Sequence, residues 1–212
     1  MSNASSGSPA DRLPPPGQPR KPSDFAAMYQ SAPPWDIGRP QNEFLQLAEK
    51  GAIRGRVLDV GCGTGEHTLM AAACGLEAVG VDTTATAIAI AERKARERGI
   101  TARFLVHDAL HLPVLGEQFD TALDCGLFHV FSDEDRRAFV DSLSAVVRPG
   151  GRYFMLCFDE RQPGDFGPPR VTQAEIRSGF ARGWRVDSIE PAKLESNGGV
   201  DVLAWLACLT RA

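Results

Sequence analysis

Four aspartates, Asp59, Asp82, Asp108 and Asp124, each close an apolar run, in "VLD", "AVGVD", "FLVHD" and "FDTALD". The first is followed almost at once by Gly61, Gly63 and Gly65. Glycine loses more conformational freedom on folding than any other residue, so such a cluster implies a turn where another group approaches bare backbone. A carboxylate accepts several hydrogen bonds and draws cations toward itself. Asp59, two residues before the first glycine, would repel a pyrophosphate and would suit an ammonium group.

Three adenosine ligands use turns of this kind. A P-loop for ATP needs GxxxxGK[ST], and no lysine follows these glycines. A dinucleotide turn reads GxGxxG, whereas Gly61-x-Gly63-x-Gly65 is one residue short. A ligand with a cationic head and no phosphates, such as S-adenosylmethionine, meets both conditions. Other readings stand beside this one. The glycines also suit a merely tight turn, and Asp82 and Asp108 have the position of helix N-caps. Cys62 is expected to contribute backbone, since no His or Lys partner marks it as a reactive thiol.

The elements that must position these residues alternate. From Gly51 onward, "GRVLDVG", "LEAVGVD", "ARFLVHD", "FDTALD" and "RYFMLCF" read as strands, separated by helical stretches such as "GEHTLMAAACG" and "TTATAIAIAERKARERG". A helix after Ser132 carries a capping-box pattern with Asp135 and an apolar stripe of Phe139, Val140, Leu143, Val146 and Val147, and "RPGG" ends it. A second capping box joins Thr172 to Glu175. "WRVDSIEP" and "VDVLAWLACL", joined by "AKLESNGG", read as an antiparallel hairpin. This predicts an α/β fold: a Rossmann-like, doubly wound, mostly parallel seven-stranded sheet ending in that hairpin. Ligands of such sheets bind beyond the carboxyl ends of the strands.

The chain has 212 residues, 43% of them hydrophobic, and a net charge of −4, with no lysine- or arginine-rich run. These values suit a globular unit and disfavour nucleic acid as a partner. Five scattered cysteines without CxxC spacing predict neither disulfides nor a metal site, and a reducing, cytoplasmic setting. No apolar run is long enough to span a membrane. Residues 1–22 hold six prolines and few large apolar side chains, which predicts a disordered, dispensable tail. Residues 23–212 then form one domain, with a helical lid over 23–50 and the sheet core over 51–212.

"VLDVGCGTG" resembles the first motif of class I S-adenosylmethionine-dependent methyltransferases. The resemblance, which runs from about Gly55 to the C-terminus, implies that Asp59, Gly61, Cys62, Gly63, Thr64 and Gly65 meet S-adenosyl-L-methionine. It implies that Asp82, with Thr83, holds the ribose hydroxyls, and that Asp108, with Ala109, meets the adenine. Asp124 and Cys125 would lie near the methionine end. "YQSAPPWDIGRPQ" resembles the N-terminal lid of small-molecule methyltransferases related to the thiopurine, thiol/halide and tellurite enzymes. By that likeness Trp35 adjoins the cofactor, while Tyr29 and Asp36 line the site; a Trp that only anchors the arm is the competing reading.

The stretch "DCGLFHVF" lacks the Asn/Asp-Pro-Pro-aromatic sequence of adenine or amide methyltransferases and the Pro-Cys pair of cytosine-C5 enzymes. Phe128 is expected near the acceptor and His129 as a general base, against the alternative of a histidine that caps or packs. "DERQPGDFGPPR" is expected to cover the pocket as a loop. "LFHVFSDEDR" and "GPPRVTQAEIR" resemble a branch acting on heterocyclic or thiol small molecules. The expectation is therefore methyl transfer to S, O or N of a small acceptor by a monomer or weak dimer. A non-catalytic adenosyl-ligand sensor, a nucleic-acid or protein methyltransferase and an NAD-dependent oxidoreductase are the competing functions.

Overall fold

Strands covered on both faces read as unbroken apolar runs. Val57–Val60 (β1) is such a run: all four residues are buried, Asp59 included. In the computed structural model, which describes residues 14–212, β1 is an interior strand, third in a seven-stranded sheet. Ala78–Asp82 (β2) and Arg103–Val106 (β3) extend it on one side, and Phe119–Cys125 (β4) and Val147–Phe158 (β5) on the other. These five strands are parallel. Trp184–Leu194 (β6) and Val202–Arg211 (β7) form the expected hairpin, with β7 antiparallel to β5, so the order is β3-β2-β1-β4-β5-β7-β6. The order reverses between β1 and β4, which opens a crevice at their carboxyl ends.

Helices cover both faces. Glu66–Ala73 (α3) and Ala85–Arg98 (α4) pack on one; Asp133–Val146 (α5) and Gln173–Gly179 (α6) pack on the other. Asn42–Glu49 (α2) joins the α3 side through the buried Phe44. The face of α4 is built from Ala87, Ile88, Ala91 and Ala95, residues small enough to bring the helix close to the glycine turn. Both expected caps form. Ser132 Oγ accepts from Asp135 N at 3.1 Å, and Thr172 and Glu175 exchange the two bonds of a capping box. As expected, α5 ends just before "RPGG", at Val146; what differs is that β5 opens at Val147 rather than Arg152, with these residues in a register shift between the pairs Phe119–Val147 and Thr121–Arg152.

Pro22–Ala26 (α1) opens the lid, with Pro22 in the first turn, where its missing N–H costs nothing. Of the tail expected to be disordered, residues 1–13 lie outside the described residues. Residues 14–22 depart from that expectation. Gly17 N donates to Gly167 O at 3.1 Å and Arg20 N donates to Val130 O at 2.8 Å, which seats this strap on two loops. Prolines lower the entropy lost on ordering, so a few backbone bonds suffice where burial is slight. Among the described residues no helix is long and apolar enough to cross a membrane.

Gly65 shows how closely the turn is packed. Its φ is +86°, and a Cβ there would sit 2.7 Å from the Phe104 ring and 2.8 Å from Ala91 Cβ. Gly65→Ala should therefore cost about 2–4 kcal/mol of folding stability from left-handed strain plus overpacking. Chemical denaturation measures this, and a loss below about 0.5 kcal/mol would contradict the packing described.

Candidate active site

The crevice holds a cavity of about 730 Å³, walled by the glycine turn, the ends of β2 and β4, the lid and the loops after β4 and β5. Of the residues singled out in the sequence, Gly61, Cys62, Gly63, Thr64, Asp82, Thr83, Asp108, Ala109, Cys125, Tyr29, Trp35, Asp36 and His129 line it. Asp59, Gly65, Asp124 and Phe128 do not.

Asp82 reaches the turn directly. Its Oδ2 accepts from Gly63 N at 2.9 Å and its Oδ1 from Thr84 N at 2.8 Å, which leaves further lone pairs for the cavity. Burial raises its pKa, and the backbone bonds oppose the rise. Asp108 is a cap and remains open to the cavity: Oδ1 accepts from Leu110 N at 2.9 Å, while the side chain is 40% exposed. Asp59 lies just behind the turn. Its Oδ2 takes Thr68 N and Thr68 Oγ1, and its Oδ1 is buried without a partner among the described residues. Burial pushes its pKa up to about 7, against the two Thr68 bonds. Cys62 and Cys125 are thiols whose pKa burial pushes up, so neither is an activated nucleophile.

Two expectations are corrected. Asp124 is saturated: Oδ1 accepts from Leu127 N at 2.8 Å, and Oδ2 from Tyr153 Oη at 2.7 Å and Phe128 N at 3.1 Å. Its register partner on β1 is Val60, so it points to the face opposite Asp59 and braces the turn after β4. Phe128 likewise turns into the core, 5.7 Å from the Phe180 ring and under the Arg136 guanidinium.

His129 belongs to the cavity in another capacity than expected. Its Nδ1 accepts from Phe158 N at 3.0 Å, which requires the lone pair there and leaves the ring proton on Nε2. Burial, with lesser contributions from Arg20, Arg136 and Arg170, lowers its pKa to about 3. A neutral ring with its accepting nitrogen occupied is a donor, not a general base.

The lid is fastened at several points. Tyr29 Oη lies 2.8 Å from where a Gly63 Cβ would be, so only glycine admits the lid so close. Trp35 Nε1 donates to Tyr29 Oη at 3.1 Å, and the indole packs edge-on to Phe25 and Tyr29, so it anchors the arm and lines the cavity at once. Thr64 Oγ1 donates to Asp36 Oδ1 at 3.0 Å, and Lys94 Nζ donates to Thr64 Oγ1 and Glu66. Gln41 joins the lid to His67 through its backbone and to Glu195 through its side chain, and Asn197 holds Pro33 and Pro34. Lys94, Gln41, Glu195 and Asn197 carry no local motif; their partners lie up to 164 residues away.

Residues 57–151 match the family described as a methyltransferase domain. The 2-heptyl-1-hydroxyquinolin-4(1H)-one methyltransferase of Mycobacteroides abscessus is 41% identical over 169 residues, covering 78% of this chain and 74% of that protein. A solved structure from work on the conversion of a disulfide bond into a thioacetal group during echinomycin biosynthesis superposes with a TM-score of 0.82. It is 35% identical and covers 90% of this chain and 93% of its own. This chain belongs to the class I S-adenosylmethionine-dependent methyltransferases. "Probable thiol methyltransferase 2" of Arabidopsis thaliana is a further relative, 31% identical over 141 residues, covering 63% of this chain and 61% of that one.

The methyltransferase's own residues fit its cofactor. A buried carboxylate oxygen on Asp59 lacks a donor, Asp82 carries only backbone partners, and the bare Gly61–Gly65 backbone borders the cavity. Each suits a cationic, hydroxyl-bearing ligand.

His129 generates a prediction. Nitrogen NMR of the imidazole should show Nε2 protonated and Nδ1 bare throughout pH 5–8, because the folded-state pKa lies near 3. A titration near neutrality would restore the general-base assignment.

Proposed function

We propose that this methyltransferase transfers a methyl group to an oxygen, sulfur or nitrogen atom of a small aromatic, heterocyclic or thiol acceptor by direct in-line displacement. The observation that carries this is the two-ended cavity. The glycine turn, Asp82 and Asp108 line a carboxylate-bearing end, and Val130, Phe131, Phe158 and Phe166, from the end of β5 and the loops after β4 and β5, line an apolar one. Similarity to the hydroxyquinolinone enzyme supports an aromatic acceptor bearing an acidic hydroxyl as the first candidate, and the Arabidopsis relative supports thiols as the second. Five unpaired cysteines support a reducing, cytoplasmic setting.

When bound, S-adenosylmethionine supplies a methyl group on a sulfonium centre that is already a good leaving group. The protein therefore has to bind, align and exclude water. In this reading Asp82 accepts the ribose hydroxyls, Asp108 and the Ala109 backbone meet the adenine, and Asp59 balances the ammonium of the methionine portion. Thr83 and Cys125 shape the walls. Tyr29, Trp35 and Asp36 hold the lid shut over the reacting atoms, as one unit with residues 51–212. Holding two reactants in line contributes on the order of 7–11 kcal/mol to lowering a barrier, so no base is needed to account for turnover.

The decisive experiment mixes labelled S-adenosylmethionine with hydroxyquinolinones, phenols, thiols and amines. Label should pass first to the acidic aromatic hydroxyls; transfer to none of these compounds would overturn the reading. Asp82→Ala should weaken cofactor binding about tenfold or more, since hydrogen bonds to a charged group are worth about 1.5–3 kcal/mol each.

Asp59 predicts a pH dependence whose sign follows from its raised pKa. Below about 7 the folded protein holds a proton on Asp59, and a cationic ligand binds the ionised form. Affinity should then rise about tenfold between pH 6 and pH 8, and the rise should vanish in Asp59→Asn. Calorimetry reads both. The same dependence in wild type and variant would show that Asp59 does not face the ligand's charge.

A further inference from the structure

The strap formed by residues 14–21 does more than cover the lid. Its two backbone bonds, to Gly167 O and Val130 O, place Arg20 in the cavity wall beside His129, Phe131 and Phe166. Arg20 Nε is buried there without a hydrogen-bond partner among the described residues. Arg20 as a whole is half-buried, and a guanidinium with one nitrogen shut off from water and unpartnered is costly unless something in the cavity answers it.

The nearby acids give it no hydrogen bond. Asp24 acts on Arg20 through its charge alone, with Oδ2 taken by Lys21 N at 2.8 Å, and Asp135 takes the Ser132 hydroxyl. The other arginines around this end are committed. Arg170 donates to the carbonyls of Gly164, Phe166 and Pro168, Arg136 to Phe128 O and Glu175, and Arg39 to Glu195. His129 adds a second donor through Nε2. The acceptor end therefore presents a cation and a fixed N–H, in apolar surroundings.

We propose that Arg20 is the specificity residue for the acceptor, and that the acceptor binds as an anion: an acidic aromatic or heteroaryl hydroxyl, ionised before it enters. This rests on the methyltransferase reading above and deepens it. The proton goes to solvent before binding, so none moves during transfer. The ionised oxygen gives its electron pair to the methyl carbon, the carbon–sulfur bond breaks, and its pair stays on sulfur. The methylated product is neutral at that oxygen and loses its attraction to Arg20, which aids release.

The test measures binding of 1-hydroxyquinolin-4(1H)-one by calorimetry in the presence of S-adenosylhomocysteine, with quinolin-4(1H)-one as the analogue lacking the acidic hydroxyl. Wild-type affinity for the hydroxylated compound should rise with pH until that compound is ionised. Arg20→Gln should lose about tenfold for the ionised compound and flatten the pH profile. Affinities for the analogue and for S-adenosylhomocysteine should stay within about twofold, and Arg20→Lys should recover part of the loss. Equal affinity of Arg20→Gln and wild type for the anion would overturn the proposal. An equal loss for anion and neutral analogue would overturn it too, by reducing the strap to packing. Charge-selective binding without methylation of any acceptor would sink the functional reading while leaving Arg20 assigned. Methylation confined to neutral acceptors and indifferent to Arg20→Gln would do the reverse.

Discussion

The carboxylate of Asp124 organises the catalytic face. Buried at the end of β4, it would be costly without donors, and it collects three: Tyr153 Oη, Leu127 N and Phe128 N. Those bonds set the course of the chain after β4, including the left-handed Gly126 that no side chain would adopt readily. They fix where Leu127 meets Gly61 and where His129 meets Phe158 N. Val130, two bonds further along this chain of dependence, then receives Arg20 N. One desolvated charge thus positions the walls of a cavity it does not touch. Burial raises its pKa to about 6 against these bonds, so the ionised form that braces the turn prevails at and above neutral pH.

The lid depends on a different economy. Its contacts are many and individually small, spread over the glycine turn, α3, α4 and the β6–β7 loop. The exposed Arg39–Glu195 pair contributes little in high dielectric, whereas Gln41 N to His67 Nε2 is buried and would leave two orphaned groups if broken. The His67 ring stays neutral, its pKa lowered to about 4 by burial, so this bond persists at neutral pH. A lid held by distributed bonds around a proline-rich link can open one contact at a time. Such a lid meets the requirement of admitting a substrate and then excluding water.

Much of this was legible in the sequence, and what was not has a physical reason. The strands, the glycine turn, both N-caps and the hairpin follow from local patterns, and Asp82 and Asp108 lie at the cavity as their strand ends imply. Asp124 also ends a strand, but the outcome turned on which face it points to. The Val60–Asp124 register settles that, and register is a property of two strands together. Phe128 was displaced for the same reason: the turn braced by Asp124 rotates it into the core and leaves His129 at the cavity. The strap failed to show because composition reports burial, and this segment is ordered by backbone hydrogen bonds instead. "RPGG" marks the end of α5 as its composition implies, but composition does not show that these residues also lie at the start of β5, where a pairing shift absorbs them.

The cavity's charge distribution bears on the rate as well as on recognition. On the proposed reading, carboxylates at one end meet a cationic cofactor, and Arg20 and the Nε2 proton of His129 at the other meet an anionic acceptor. Methyl transfer from a sulfonium to an anionic oxygen removes one positive and one negative charge. Water opposes such a reaction because it solvates the separated charges better than the neutral products. Inside the closed cavity that solvation is replaced by a few fixed groups, and the apolar walls do not reorganise as the charges disappear. Fixed donors that are too strong would reproduce water's penalty by over-stabilising the reactant anion. A neutral imidazole and a single arginine are a moderate set: enough to bring the anion in, too few to keep it from reacting.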